Sequence, residues 1–417
     1  MSAPFEIGVR AVERCEALRH PPFSETAAGL CRRFLTPAHR AALDQTALWM
    51  AAAGMDARID AAANLVGRYE AQTPGRPALM FGSHLDSVRN GGAYDGALGV
   101  MLAIDCVEAL HRAGRRLPFA VEIIAFGDEE GSRFPASMQC SRAVAGAFDP
   151  VMLALADVKG VSLAGALRDF GLDPERVCEA ARAPCEILGF VEAHIEQGPA
   201  LEEAGLAVGL VTAIAAQRRL RVRWTGRASH AGTTPMRLRR DPLAAAAEAM
   251  TLVEQHCRRD SHGLVGTVGQ IAVEPGAFNV IPGAATFSLD VRAETDPACD
   301  AAVEDLLAGF HEIAVARDIG LAIERVQSLA ASPCDGALGA RLGEAIRKET
   351  GACLSLPSGA GHDAMVMAGL CPTAMLFIRC RGGLSHNPDE HVEREDAAVA
   401  ARVLLAFLDA YEGSPTS

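Results

Sequence analysis

Consecutive apolar runs, rather than alternating ones, mark the first part of this chain. "PALMFGSHLD" (77–86), "FAVEIIAFGDEEG" (119–131) and "EILGFVEAHIEQG" (186–198) each hold enough adjacent apolar residues for a strand covered on both faces. Between the first two lies "ALGVMLAIDCVEALHRAG" (97–114), with the spacing of an amphipathic helix closed by Gly114. Strand, helix and strand at that separation predict a βαβ unit and a mostly parallel sheet. Upstream, Thr36 and Pro37 open a helix that stops at Gly54, and "DARIDAAANLVGRYE" (56–70) alternates as strands do. The buried style returns late, in "GACLSLPSGAGHDAMVMAG" (351–369) and "TAMLFIRCRGGLSHNPDEHV" (373–392).

The middle has another texture. "RLRVRWTGR" (219–227) alternates like a half-exposed strand, and 241–259 is an alanine-rich helix. Two more strands (264–275 and 283–295), a helix (297–318) and a last strand (321–329) follow. The order βαββαβ is the ferredoxin-like split unit. The expected fold is therefore α/β, with a mostly parallel-sheet domain built from residues 1–212 and 329–417. An α+β ferredoxin-like domain, 213–328, is inserted into it. A length of 417 residues agrees with more than one core.

Composition narrows the partners. A formal net charge of −13 argues against nucleic acid and anionic membranes, while leaving room for a small anionic substrate. The basic stretches "QRRLRVRWTGR" and "MRLRRD" alternate along a strand or flank a helix start, as a solvated face or interface rim does. No apolar run reaches membrane-spanning length, and the first twenty residues lack a signal-peptide core. Twelve cysteines without a CxxC pair read as reduced thiols, hence a cytoplasmic protein.

Chemistry gathers at the ends of the buried strands, where open α/β sheets bind ligands. His84 and Asp86 close one strand, Glu129 and Glu130 a second, His194 a third, and His386 follows a fourth. Asp95 sits in the glycine-rich "RNGGAYDG", which can fold back to the same point. Imidazoles and carboxylates are ligands for zinc, and also for manganese, cobalt or nickel. Three histidines and several acids exceed what one tetrahedral ion needs. They divide into His84, Asp95 and His194 on one cation, and Asp95, Glu130 and His386 on another. Asp86 is expected to accept from the His84 ring and fix its tautomer. Of Glu129 and Glu130, one can ligate while the other takes a proton from water; the residues alone leave the assignment open. "LPSGAGHDAMVMAG" (356–369) is neither a P-loop nor a dinucleotide fingerprint; its glycines before a helix suit an anion cradle, with His362 and Asp363 as helix caps.

The stretches "GSHLDSVRNGGAYDGALGV", "FGDEEGSRF", "EAHIEQGPALE" and "LSHNPDEHV" resemble the metallopeptidase M20 family. More narrowly they resemble its amidase, hydantoinase and carbamoylase branch. The resemblance implies a dinuclear metallohydrolase in which His84, Asp95, Glu130, His194 and His386 are ligands and Glu129 is the general base. The inserted segments "AIAAQRRLRVRWTGRASHAGTTPMRLRRDPLAAAAE" and "VEPGAFNVIPGAATFSLDVR" are similar to the branch's substrate-binding and dimerisation stretches. By that resemblance Gln197, His230, Asn279 and Arg292, with the loop Gly359, Ala360 and Gly361, bind substrate. The inserted domain would then act as lid and homodimer contact, reaching the partner's active site. Arg292 suits a bidentate grip on a carboxylate, and His230 and Asn279 can donate to a developing oxyanion. Read alone, Arg292 is equally a strand-end charge and Asn279 a turn residue before Pro282. The implied reaction is metal-dependent hydrolysis of a ureido or amide C–N bond. The first expectation is an N-carbamoyl-L-amino acid, then allantoate, then N-carbamoyl-β-alanine or a short peptide. A degenerate binding module is the non-enzyme alternative.

Overall fold

The computed structural model describes residues 4–260 and 263–411. The chain divides into two compact units. One comprises Met1–Thr212, Cys334–Leu356 and Gly361–Ser417; the other comprises Ala213–Pro333 and Pro357–Ala360. The inserted unit thus extends five residues past the expected boundary at 328, and it takes in the short stretch 357–360 that the sequence pattern left with the larger domain.

In the larger unit, a sheet runs in the order Asp56–Ile59, Leu65–Tyr69, Ala120–Phe126, Ala78–His84, Ile187–Ile195, Thr373–Ile378, Val208–Ile214. The four central strands are parallel and the flanking ones antiparallel. Every residue of those four central strands is buried, which is why their sequences run apolar without alternation. The helix Ala97–Arg112 connects two of them and packs against the sheet. Pro4–Ala17 and Arg394–Ala410 pack on that helix and on each other. Strand Ala78–His84 is followed by a neighbour on one side and then by Ile187–Ile195 on the other. That reversal opens a crevice outside their carboxyl ends.

In the smaller unit, an antiparallel sheet has the order Ile271–Glu274, Ala284–Ala293, Ala216–Thr225, Gly320–Leu329. Helices Pro242–Arg259 and Asp296–Ala316 pack against it, completing the ferredoxin-like order. Ala216–Thr225 alternates buried and exposed residues along its outer half. Its Trp224 meets Phe310 edge-on at 5.9 Å, at the centre of that unit's core. The predicted strand 264–275 is broken into Val265–Thr267 and Ile271–Glu274. Between the pieces Gln270 bonds through Ser288 instead of continuing the ladder. No helix among the described residues is long and apolar enough to cross a membrane.

Candidate metal centre

Two glycines make the site possible. The strand Ala78–His84 delivers His84 to the rim, and the chain then loops back through Gly92 and Gly96 to bring Asp95 beside it. Gly96 has φ +65°, and a Cβ there would fall on the His84 ring. A Cβ on Gly92 would fall inside the Glu390 side chain. Glu390, fully buried, accepts from the backbone N–H groups of Tyr94 (2.9 Å) and Asp95 (3.0 Å) and from Ser385 Oγ (2.9 Å). It fastens the loop carrying Asp95 to the loop carrying His386. The sequence pattern gave no signal for this role beyond its place in "SHNPDEHV".

The five expected ligands come together in two groups that share Asp95. His194 Nε2 lies 3.4 Å from His84 Nε2 and 3.2 Å from Asp95 Oδ1, with His84 Nε2 3.9 Å from that oxygen. The other carboxylate oxygen, Asp95 Oδ2, is 3.2 Å from His386 Nε2, which is 3.6 Å from Glu130 Oε1. Both rings of the first group turn Nδ1 to a backbone carbonyl, His84 to Asp86 O at 3.1 Å and His194 to Ile195 O at 2.9 Å. With the proton on Nδ1, both Nε2 atoms present lone pairs to each other and to a carboxylate. Such a cluster fits a cation: ligands about 2.0–2.1 Å from a tetrahedral ion sit about 3.3 Å apart. Nitrogen and oxygen donors of this kind suit zinc, manganese, cobalt or nickel.

Asp86 does something other than expected. Its carboxylate is 3.6 Å from His84 Nδ1, beyond hydrogen-bond range, and the ring bonds the Asp86 backbone carbonyl instead. The two oxygens accept from the backbone N–H groups of Glu129 (3.1 Å) and Glu130 (3.2 Å). Asp86 therefore sets the turn that aims the glutamate pair. Glu129 Oε2 is 3.9 Å from His84 Nε2, and Glu130 Oε1 also accepts from Val88 N–H at 3.3 Å.

The cation-free electrostatics are those of crowded, desolvated charge. Burial, reinforced by Glu130 and eased by His84, raises the Glu129 carboxyl well above its usual range. Burial and the charge of Asp95 raise Glu130 to about 7. Burial also opposes ionisation of Asp95, but His386, His194 and His84 outweigh it and hold that carboxyl well below normal. The bond to Asp95 raises His386 to about 9, while burial lowers His194 to about 4.

Gln197, in a left-handed conformation (φ +56°), lays its amide nitrogen 3.2 and 3.3 Å from the two Asp95 oxygens and 3.1 Å from Ser385 Oγ. His362 is no side-chain cap. The helix Asp363–Met367 has no bond from its side chain, and its ring stands edge-on to His194 at 4.4 Å. The cap comes from Glu192, which accepts from Ala364 N–H at 2.9 Å and from Ser83 Oγ at 2.9 Å. Glu192 points inward from a buried strand, so no local pattern marks it.

In the ferredoxin-like unit, Ser229–His230 pairs with Val280–Ile281, and Ala231 N–H donates to Asn279 O at 3.0 Å. His230 and Asn279 are thereby neighbours. His230 Nδ1 accepts from Gly232 N–H (3.1 Å) and Thr233 N–H (3.2 Å), which leaves Nε2 to carry the proton of the neutral ring. Arg292 bonds Asp290 through Nε and Nη2, both at 3.0 Å, and Gly359 O through Nη1. The loop 359–361 is not a cradle of N–H groups: the Gly359 carbonyl faces Arg292, and Ala360 N–H is taken by Ser358 Oγ at 3.2 Å.

The family model described as peptidase family M20/M25/M40 matches residues 80–410. An N-carbamoyl-L-amino acid amidohydrolase of Geobacillus stearothermophilus is 43% identical over 376 residues, covering 90% of this chain and 92% of that protein. Allantoate deiminase 1 of Glycine max is 38% identical over 416 residues, covering 93% and 86%. The crystal structure of a hydantoinase/carbamoylase family amidase from Burkholderia ambifaria has a TM-score of 0.90 at 32% identity, covering 98% of each chain.

Proposed function

The chain belongs to peptidase family M20/M25/M40, a family of metal-dependent hydrolases, and from that premise we propose that it hydrolyses the ureido C–N bond of N-carbamoyl-L-amino acids. It is an amidohydrolase acting on carbon–nitrogen bonds other than peptide bonds, as its relatives are. The products would be the amino acid, carbon dioxide and ammonia, one water being consumed. The observation that carries the reading is Asp95, whose two oxygens face different ligand groups, His84 with His194 and His386 with Glu130.

Two divalent cations per chain, zinc or manganese, cobalt or nickel, are held by these five residues in this reading. When bound, they supply Lewis acidity that polarises a carbonyl and lowers the pKa of water. Glu129, beside His84 and not a ligand in this reading, takes the proton from the attacking water and returns it to the departing nitrogen. His230 donates from Nε2 to the oxyanion, a role supported by its occupied Nδ1. Asn279, adjacent to it, shares that work, and Gln197 contacts the substrate from beside Asp95. Arg292, with the 359–361 loop behind it, takes the substrate carboxylate.

The ferredoxin-like unit is assigned as the homodimer contact. In support, its sheet ends in two unpaired edge strands, Ile271–Glu274 and Gly320–Leu329, with exposed Ile271 and Val326. All twelve cysteines are unpaired, which supports a reducing compartment, the cytoplasm.

Allantoate is the second reading, favoured by the similarity to allantoate deiminases. The test is ammonia release from a panel of N-carbamoyl-L-amino acids, N-carbamoyl-β-alanine and allantoate, with each metal added back. Glu129→Gln should lower kcat on the best substrate by about 10²-fold or more with cation content unchanged. Near-wild-type turnover by that variant contradicts the assignment.

A further inference from the structure

Arg292 alone does not explain how a guanidinium on a strand is kept in one orientation. Its side chain is 32% exposed, and a free arginine there would sample many rotamers. Asp290, two residues earlier on the same face of strand Ala284–Ala293, takes Nε and Nη2 in a two-point bond, each at 3.0 Å. Asp290 is itself immobilised from the neighbouring strand. Gln217 Nε2 donates to both its oxygens (3.2 and 2.9 Å), and Arg219 Nε donates to Oδ2 at 2.8 Å. Arg219 in turn donates from Nη1 to Gln327 Oε1 at 3.0 Å, on the next strand. Strand Ala216–Thr225 therefore holds the Asp290 carboxylate, Gln327 braces Arg219 from the strand beyond, and that carboxylate holds Arg292.

Donor counting gives the consequence. A guanidinium has five N–H groups. Two go to Asp290 and one to Gly359 O, leaving, among the described residues, one on Nη1 and one on Nη2. Two donors on the terminal nitrogens are the number a carboxylate accepts in a two-point bond. Charge agrees: two guanidinium groups against one carboxylate leave the trio Arg219, Arg292 and Asp290 with a surplus of one positive charge. That surplus matches a single substrate carboxylate.

We propose that Asp290 is a positioning residue that sets substrate specificity, holding Arg292 with two donors free for one carboxylate. The inference rests on the reading of Arg292 as the carboxylate site. The opposite view of the same contact is that Asp290 competes with substrate and masks Arg292, and the two views predict opposite signs.

The experiment compares wild type, Asp290→Asn, Asp290→Glu and Arg292→Gln in the full-length, metal-loaded protein, on the best ureido acid of the panel. Asp290→Asn turns an acceptor oxygen into an NH2 group that faces the guanidinium. It should raise KM about tenfold or more, with kcat within about threefold of wild type. Asp290→Glu, which keeps the charge, should recover part of that loss. Cation content and thermal midpoint, read alongside, distinguish a binding defect from misfolding. If Arg292→Gln raises KM while Asp290→Asn leaves it unchanged or lowers it, the positioning role is overturned and the Arg292 reading stands. If Arg292→Gln leaves KM unchanged, the Arg292 reading fails and this inference falls with it.

Discussion

The proton positions in the metal centre follow from what each ring nitrogen touches. His84 and His194 turn Nδ1 to backbone carbonyls, so each ring directs Nε2 at a cation. Without a cation, His84, His386 and Glu130 are all raised: His84 well above the usual imidazole range, where burial is outweighed by Asp86, Glu129 and Asp95, His386 to about 9 and Glu130 to about 7. At pH 8 His386 is still largely protonated and must lose that proton to bind metal. Cation affinity should therefore rise with pH. Calorimetry at pH 8 in buffers of different ionisation heat should show net proton release, fading at higher pH. A binding heat independent of buffer at pH 8 would contradict this proton release and the raised state of the rings. At this scale the sequence was legible in residue type and strand position, which sufficed to group the five donors. The bond made by Asp86 was not legible. It depends on strands Ala78–His84 and Ala120–Phe126 pairing with His84 level with Phe126, a register that only the folded sheet specifies.

Among the elements, the glycine-rich connection after His84 carries the most consequence. Gly96 combines a left-handed φ with contact against the His84 ring, so Gly96→Ala meets both backbone strain and a clash. The substitution should cost more than about 1 kcal/mol of stability. It should also displace the ring, so cation uptake falls more than the thermal midpoint alone explains. Full uptake in Gly96→Ala would show that the loop tolerates a side chain there. In the ferredoxin-like unit, Trp224→Ala should cost about 3–5 kcal/mol by opening a cavity between Phe287 and Phe310, read as a lowered unfolding midpoint. Long elements were readable because their apolar spacing is dictated by burial alone, as in Ala78–His84 and Ala97–Arg112. Short pieces such as Ser229–His230 were not. Two residues carry no period, and their pairing with Val280–Ile281 is a property of the fold.

At the scale of the whole molecule, the proposed site residues fall in two units. Among the described residues, the larger unit holds the candidate cation ligands and Glu129, and the ferredoxin-like unit holds His230, Asn279 and Arg292. The bound of the larger unit at Thr212 lies where continuous hydrophobicity gives way to alternation. The return at Pro333 was not legible in the sequence, because Gly320–Leu329 is largely exposed and Ser332–Pro333 has only two residues. The homodimer assignment predicts a sedimentation mass near twice the chain's 43.7 kDa. A fully active monomer would remove the ferredoxin-like contact from the account. Whether Asp95 joins two cation positions is decided by counting bound divalent cations per chain in wild type and Asp95→Ala after dialysis. The wild type should hold two and the folded variant fewer than one. Two cations retained by Asp95→Ala, or none bound by the wild type, would contradict the joining role of Asp95.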